Sequence, residues 1–477
     1  MRRLSIGLVA LGLLTACAAS VQEQRAAIEG AARSLGATDV KSIEYTGNGV
    51  WYQVGQAKTA GQRWPRFNLP SYTRAVNYET ASLRDTIVRT QAENPPGGGG
   101  GQPVRGELRQ VFYLNGEHAW NVVGDAPVAS PITLADRQMQ LWTTPHGFIR
   151  AALARGGTVS GRTISLTVPG RFTGRGTLNA EGLLEKVEAT LPSPVVGDMP
   201  VEISYADYKA FGPVKFPTRI RQSYGGFPSL ELTVTDVKVN APVDVTAPDP
   251  VRATVSPYAP TKSDKVANGV WYVTGGTHHS VVIEMADHVI VVEAPLNDQR
   301  ALAVLGETRR LVPTKPLRYV IVTHHHYDHS GGLRAFAAEG VTVIAHESSR
   351  AFYERAFANA ATVDPDQLSR GGRRGAVEAV GERRTLTDGA RVVDIHLLKD
   401  NGHADGFLMV HLPAEKLLVE ADAFSPLAPN APVPTPPSPY TVNLADNITR
   451  LKLAVDQILP IHGRMVPLAE LHRTIGR

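Results

Sequence analysis

Residues 323–332 read THHHYDHSGG, directly after the apolar run 319–322 (YVIV). Within six positions this stretch presents His324, His326, Asp328 and His329. An apolar run of this kind reads as a buried strand. A strand that ends in such a cluster converges neutral imidazoles and a carboxylate from one short piece of backbone. Those are the ligand types that zinc and similar divalent metals take. His324 and His326 are two apart and can point the same way, whereas Asp328 and His329 lie past the turn and can face a second ion. A loose chelating tract of the affinity-tag kind belongs at a terminus, but this cluster lies between a strand and the helix-like run 333–338.

One loop cannot close two metal sites, so further ligands are expected downstream. His403 lies in a glycine-flanked turn (NGHADG, 401–406) between two strand-like runs. His462 follows the apolar run 458–461 and precedes Gly463. Between them, the strand-like run 417–421 leads to Asp422. Each candidate sits where a strand gives way to a loop, which is how one rim of a sheet gathers ligands from distant sequence.

The order HxHxDH, then GH, then a strand-terminal Asp, then a final HG resembles the ligand series of the metallo-β-lactamase-fold hydrolases. The resemblance covers the chain from about residue 268 onward. It implies that His324, His326 and His403 hold one ion, that Asp328, His329 and His462 hold the second, and that Asp422 bridges them. Asp422 makes the set resemble that of the hydroxyacylglutathione hydrolases and lactonases, and His at the second ligand position departs from the redox di-iron branch. One departure from the superfamily pattern is Glu293, which ends the run 289–292 where Asp is usual and is expected to be a structural support. The resemblance further implies an αββα sandwich and two zinc ions per chain, with iron and manganese as alternative metals. Two ions sharing a water lower its pKa toward about 7, so hydrolysis of an ester, thioester, lactone, β-lactam or related bond is expected, with Asp328 as catalytic residue. Two readings stay open beside it: a mononuclear iron sulfur-dioxygenase, and a non-catalytic lipid- or partner-binding protein with a structural metal.

Other polar residues carry plainer expectations. His325 and Tyr327 fill spacer positions and point away from the metals, while His278 and His279 could line a substrate groove. His346 reads either as a rim residue or as a packed or surface one. Asp394, Asp405 and His411 read as surface or outer-layer residues rather than ligands.

At the amino end, Arg2 and Arg3 precede an apolar run to Leu14, and the sequence LTAC closes at Cys17, the only Cys in 477 residues. This is the layout of a secretory signal and resembles the lipobox of bacterial lipoproteins. Residues 1–16 are therefore expected to be a signal peptide and Cys17 the lipid attachment site. Ala18 after it implies an exported protein tethered to the outer membrane and facing the periplasm. The formal charge of +4 includes the two signal arginines, leaving a near-neutral chain with no basic block for nucleic acid. A small-molecule substrate and the membrane are the expected partners; oligomeric state is not legible.

Alternating strand-like runs with turn residues between them make residues 17–241 a β-rich α+β domain with helices at 21–37 and 145–155. Its last strands loosely resemble those of periplasmic lipoprotein-carrier half-barrels, which implies a concave apolar face. Asn94-Pro95-Pro96 and the five glycines after it read as a flexible loop. The five prolines between 241 and 260 mark a linker, placed at 242–262. The catalytic α/β domain is then 263–477, with a proline-rich cleft wall at 426–439 and a helix at 443–458.

Overall fold

The computed structural model describes residues 6–254 and 261–477, with side chains described from residue 21 onward. The start of the expected signal, part of the expected linker and the Cys17 side chain lie outside what is described. Among the described residues, no helix is long and apolar enough to cross a membrane.

Thirteen antiparallel strands between residues 42 and 239 form one sheet made of two meanders. The first strand, Ser42–Tyr52, pairs on one side with Arg66–Asn77 and on the other with the last strand, Phe227–Val239. Burial alternates along these strands. In Thr163–Val168, Ile164, Leu166 and Val168 turn inward while their neighbours stay accessible, as a half-wetted sheet requires. The inward face is filled by the chain's own helices. Ile28 and Leu35 of Ile6–Leu35, and Phe148, Ile149 and Ala152 of Pro145–Arg155, share a core with Tyr72, Ile87, Val187 and Phe216. The open concave face implied by the half-barrel resemblance is thus occupied. The second helix has strong end signals: Thr144 accepts from Gly147 N–H, Pro145 opens the first turn, and Gly156 takes the left-handed cap at φ 70°.

His146, on that helix, is fully buried with Nε2 3.2 Å from the Leu35 carbonyl. Burial lowers its pKa to about 4. In the unfolded chain it titrates near about 6.5, so protonation favours unfolding. The stability this ring preserves is complete above about pH 6.5 and is lost as pH falls toward 4, amounting to about 2 kcal/mol at about pH 5. Urea midpoints of wild type and His146→Leu measured at both ends of this window should show a weaker pH dependence in the variant. Equal slopes would remove His146 from the account.

Residues 262–477 build two facing sheets. Seven strands run from Lys262–Ala267 to Val377–Val380, and six from Arg383–Thr387 to Val466–Pro467. Val289–Val292, Leu317–Ile321, Thr342–His346 and Val377–Val380 pair in parallel. Strands buried on both faces need unbroken apolar runs. Here Ile290, Val292, Ile321 and Ile344 meet the second sheet. Val289, Val291, Val320 and Val343 meet the helices Asp298–Leu311, Leu333–Ala338 and Glu347–Ala358. Pro439–Leu451 and Leu468–Thr474 cover the other side through Leu444, Ile448 and Leu471. The result is a four-layer αββα sandwich preceded by a β-rich domain.

One helix boundary differs from the sequence reading. The helix expected at 443–458 is Pro439–Leu451, because Lys452 adopts a left-handed backbone and Gln457–Pro460 is a strand. Proline at the first helical position needs no N–H, and the apolar residues past 452 serve the sheet instead.

Candidate metal centre

Every sequence-selected ligand lies just beyond a strand end on one rim of the sandwich. Leu317–Ile321 leads to residues 323–329, Leu417–Glu420 to Asp422, and Gln457–Pro460 to His462. His403 lies in the turn joining Val392–Leu397 to Leu408–Leu412. Two groups of four donors form there: His324, His326, His403 and Asp422, and beside them His278, Asp328, His329 and His462. His278 is thus one donor of the second group, a place the sequence reading did not give it when it noted that His278 could line a substrate groove. Its Nε2 lies 3.3 Å from Asp328 Oδ2. His279 turns away and donates to the Gly463 carbonyl.

The outer contacts fix which nitrogen of each ring is free. A carbonyl oxygen can only accept, so each ring nitrogen beside one carries the proton. His326 donates through Nε2 to the Ala57 carbonyl at 2.8 Å, leaving Nδ1 as its donor atom. His462 uses Nδ1 on the Thr277 carbonyl at 3.2 Å, leaving Nε2. His329 donates Nδ1–H to Glu293 at 2.8 Å, and Thr323 Oγ1 lies 3.0 Å from His324 Nδ1. This is the outer-layer anchoring that metal-ligating histidines require.

The freed atoms then face one another. His324 Nε2 and His403 Nε2 are 3.3 Å apart, as are His329 Nε2 and His462 Nε2. Two nitrogens at about 2.0–2.1 Å from a tetrahedral ion would be separated by about 3.3–3.4 Å, so the spacing matches a shared cation. Asp422 reaches both groups: Oδ2 is 3.0 Å from His403 Nε2, while Oδ1 is 2.8 Å from His329 Nε2 and 3.0 Å from His462 Nε2. Oδ1 is buried and has no well-directed hydrogen bond despite these neighbours. That is the geometry of a carboxylate among co-ligands. The donor set therefore fits a pair of cations.

The electrostatics agree. Burial holds His324 and His326 well below the ordinary imidazole value, keeping both neutral. Burial also disfavours charge on His329, but Asp422, Glu293 and Asp328 outweigh it and hold that ring well above the ordinary value. Burial likewise opposes charge on Asp422, yet His329 and His403 keep it well below the carboxylate range. The pocket is built to surround positive charge.

Glu293 accepts the Thr323 N–H at 2.6 Å as well as His329, is fully buried, and has a left-handed backbone at φ 73°. A non-glycine residue held there stores strain, which the two hydrogen bonds of the carboxylate offset.

The spacer residues do not join the donor groups. His325 donates to the Ala57 carbonyl, and Tyr327 packs edge-on against Trp64, ring centres 5.7 Å apart. His346 caps Glu347–Ala358 by accepting from Ser348 N–H. Asp405 accepts from Thr59. Asp394, His396 and His411 form a separate buried trio on adjacent strands, where Asp394 accepts from Arg383 and Thr385. Asp394 and His411 are therefore buried rather than superficial.

Sequence reasoning missed two contributors from the first domain. Gln56 Nε2 donates to Asp328 Oδ1 at 2.8 Å, and the Ala57 carbonyl anchors His326. The glycine run read as flexible is pinned across the same side. Gly98 N–H donates to the Gly402 carbonyl, Gly100 N–H to Gln56 Oε1, and Arg89 and Gln102 hold its carbonyls. A Cβ on Gly99 would lie 1.9 Å from Gln56 Oε1 and 2.9 Å from His326 Cε1. Gly99 is thus the position of the run that lies against the centre. The side chains of Asp328 and His462 are 31% and 24% exposed, while those of His324 and His329 are enclosed.

Residues 273–456 match the family model of the metallo-beta-lactamase superfamily. A curated relative, 2,4-dinitroanisole O-demethylase subunit alpha of Nocardioides sp. (strain JS1661), is 31% identical over 85 residues. That match spans 18% of this chain and 26% of the relative's length. Among solved structures, the metallo-beta-lactamase from Pontibacter korlensis is 16% identical, with 45% of this chain and 97% of that chain covered and a TM-score of 0.34. The metallo-beta-lactamase from Hirschia baltica is 18% identical, with 46% and 97% covered and a TM-score of 0.33. The superfamily match covers every member of the two donor groups except His462, which lies just beyond it.

Proposed function

We propose that this protein is a zinc-dependent hydrolase that cleaves an ester, thioester, lactone, β-lactam or related bond in a small molecule. The observation that carries the reading is the pair of four-donor groups whose free atoms converge at ligand spacing, joined by Asp422. Cations bound there would acidify a shared water and polarise the oxygen of the scissile group. His324, His326 and His403 would hold one, His329, His462 and Asp328 the other, with Asp422 between them. His278 is a further donor beside Asp328.

Asp328 is the more exposed of the two carboxylates in the donor groups, 31% against 15% for Asp422. Its Oδ1 accepts from Gln56, and Oδ2 lies beside His278. Held on both sides, Asp328 is placed to accept a hydrogen bond from the attacking water and fix its direction. No serine or cysteine nucleophile is needed. The signal-like segment and Cys17 support export and attachment to a bacterial outer membrane through lipid, which puts the reaction in the periplasm.

The test is metal content of the full chain carrying Cys17→Ala, together with a chromogenic panel of lactones, esters, thioesters, β-lactams and phosphodiesters. A nitroaryl methyl ether belongs in the panel because of the named demethylase relative. About two zinc ions per chain, with hydrolysis lost in Asp328→Ala, is the expected result. A single iron with no hydrolysis would replace the reading with an iron oxygenase.

A further inference from the structure

We infer that the N-terminal sheet domain is a working part of the metal centre, with Gln56 the positioning residue for Asp328 and the Ala57 carbonyl that for His326. The inference rests on the metal-dependent reading above and assigns a role to a domain outside the superfamily match.

Residues 55–59 follow soon after the strand Ser42–Tyr52 and run between the two ligand-bearing loops of the other domain. Tyr327 N–H donates to the Gly55 carbonyl at 3.0 Å, and Asp405 N–H donates to the Lys58 carbonyl at 2.7 Å. The same short segment thus grips the loop of His324 to His329 and the turn of His403. Between those two grips lie Gln56 and Ala57.

Their contacts are specific to function. The Ala57 carbonyl fixes the His326 proton on Nε2, so Nδ1 faces His324 Nε2 at 2.9 Å. Gln56 is held at both ends of its amide: Oε1 accepts from Gly100 N–H and Nε2 donates to Asp328. That fixes the amide's orientation, because only the nitrogen end can serve the carboxylate. Gly99 leaves room for this arrangement, since a Cβ there would strike both Gln56 and His326.

The docking has its own supports away from the centre. Asp198 accepts from Thr362 N–H, Thr362 Oγ1 and Val363 N–H. Asn359 donates to the Val196 carbonyl. A change at Gln56 therefore need not release the domain.

The test uses the full chain with Gln56→Met, which keeps bulk and removes the donor. Gln56→Leu is the second variant, because it removes the same amide with a branched side chain and leaves His326 untouched. Zinc affinity is read by equilibrium competition against a chelating dye, beside urea midpoints. Removing an outer-layer partner typically weakens metal binding by about 10–100-fold. The expected result is a loss of that size for one zinc in each variant, with wild-type midpoints. Wild-type affinity for both zinc ions in both variants would overturn the inference. Equal loss of both ions together with lowered midpoints would show a merely structural contact and would overturn it too. Should Gln56→Met fail to fold, Gln56→Leu decides alone. Wild-type protein that binds no zinc would instead remove the functional reading beneath it.

Discussion

Asp422→Ala is expected to release both cations and to lower hydrolysis by on the order of 10³-fold or more, the equivalent of several kcal/mol of lost stabilisation. No other donor touches both groups so closely. One oxygen lies 3.0 Å from His403, the other 2.8 Å from His329 and 3.0 Å from His462. Without it, the rings keep their outer anchors but lose the negative charge that offsets two cations at short range. Asp328→Ala makes the contrast, because Asp328 belongs to the second group alone. That variant should keep a cation at His324, His326 and His403 while losing hydrolysis. Elemental analysis of the two variants side by side reads the difference. Full metal content and undiminished turnover in Asp422→Ala would end the two-cation account.

Glu293→Ala should lower the stability of the metal-free protein by about 3–5 kcal/mol, the usual cost of removing one partner from a buried charged pair. The carboxylate is fully enclosed and serves Thr323 N–H and His329 Nδ1 together. Its loss leaves a buried N–H without a partner and frees His329 to rotate, so zinc affinity should fall with stability. Glu293→Gln separates the two effects. Its amide oxygen can still accept from Thr323, but its NH₂ cannot accept from His329, so affinity should suffer more than the urea midpoint. A midpoint in Glu293→Ala within about 0.5 kcal/mol of wild type, the range of an ordinary surface change, would show that the strained turn is held by other contacts.

The site was legible where side-chain type does the work. His324, His326, Asp328, His329, His403, Asp422 and His462 each follow a strand-like run, and the structure brings them into two adjoining groups. Apolar runs such as 289–292 and 319–322 told of strands covered on both faces. Legibility failed where the backbone acts. The Ala57 carbonyl would anchor His326 whatever side chain stood at 57, so composition carries no signal of it. Glycine content reports freedom in an isolated chain, not the hydrogen bonds that pin 97–101 in place. His278 was ambiguous for another reason: two adjacent histidines before a strand point to opposite faces, and only the fold decides which one meets Asp328.

The pairing of Ser42–Tyr52 with Phe227–Val239 bears on how the molecule matures. It joins Ile43 to Val239 across nearly the whole first domain, and contacts so distant in sequence form late because the loop between them must first be closed. The segment that grips the ligand loops lies just past that first strand. The second domain has a core of its own between its two sheets, but its centre is complete only once the segment after the first strand is in place. Acquisition of tightly held zinc should therefore be slow and should mark the completion of folding, not its beginning.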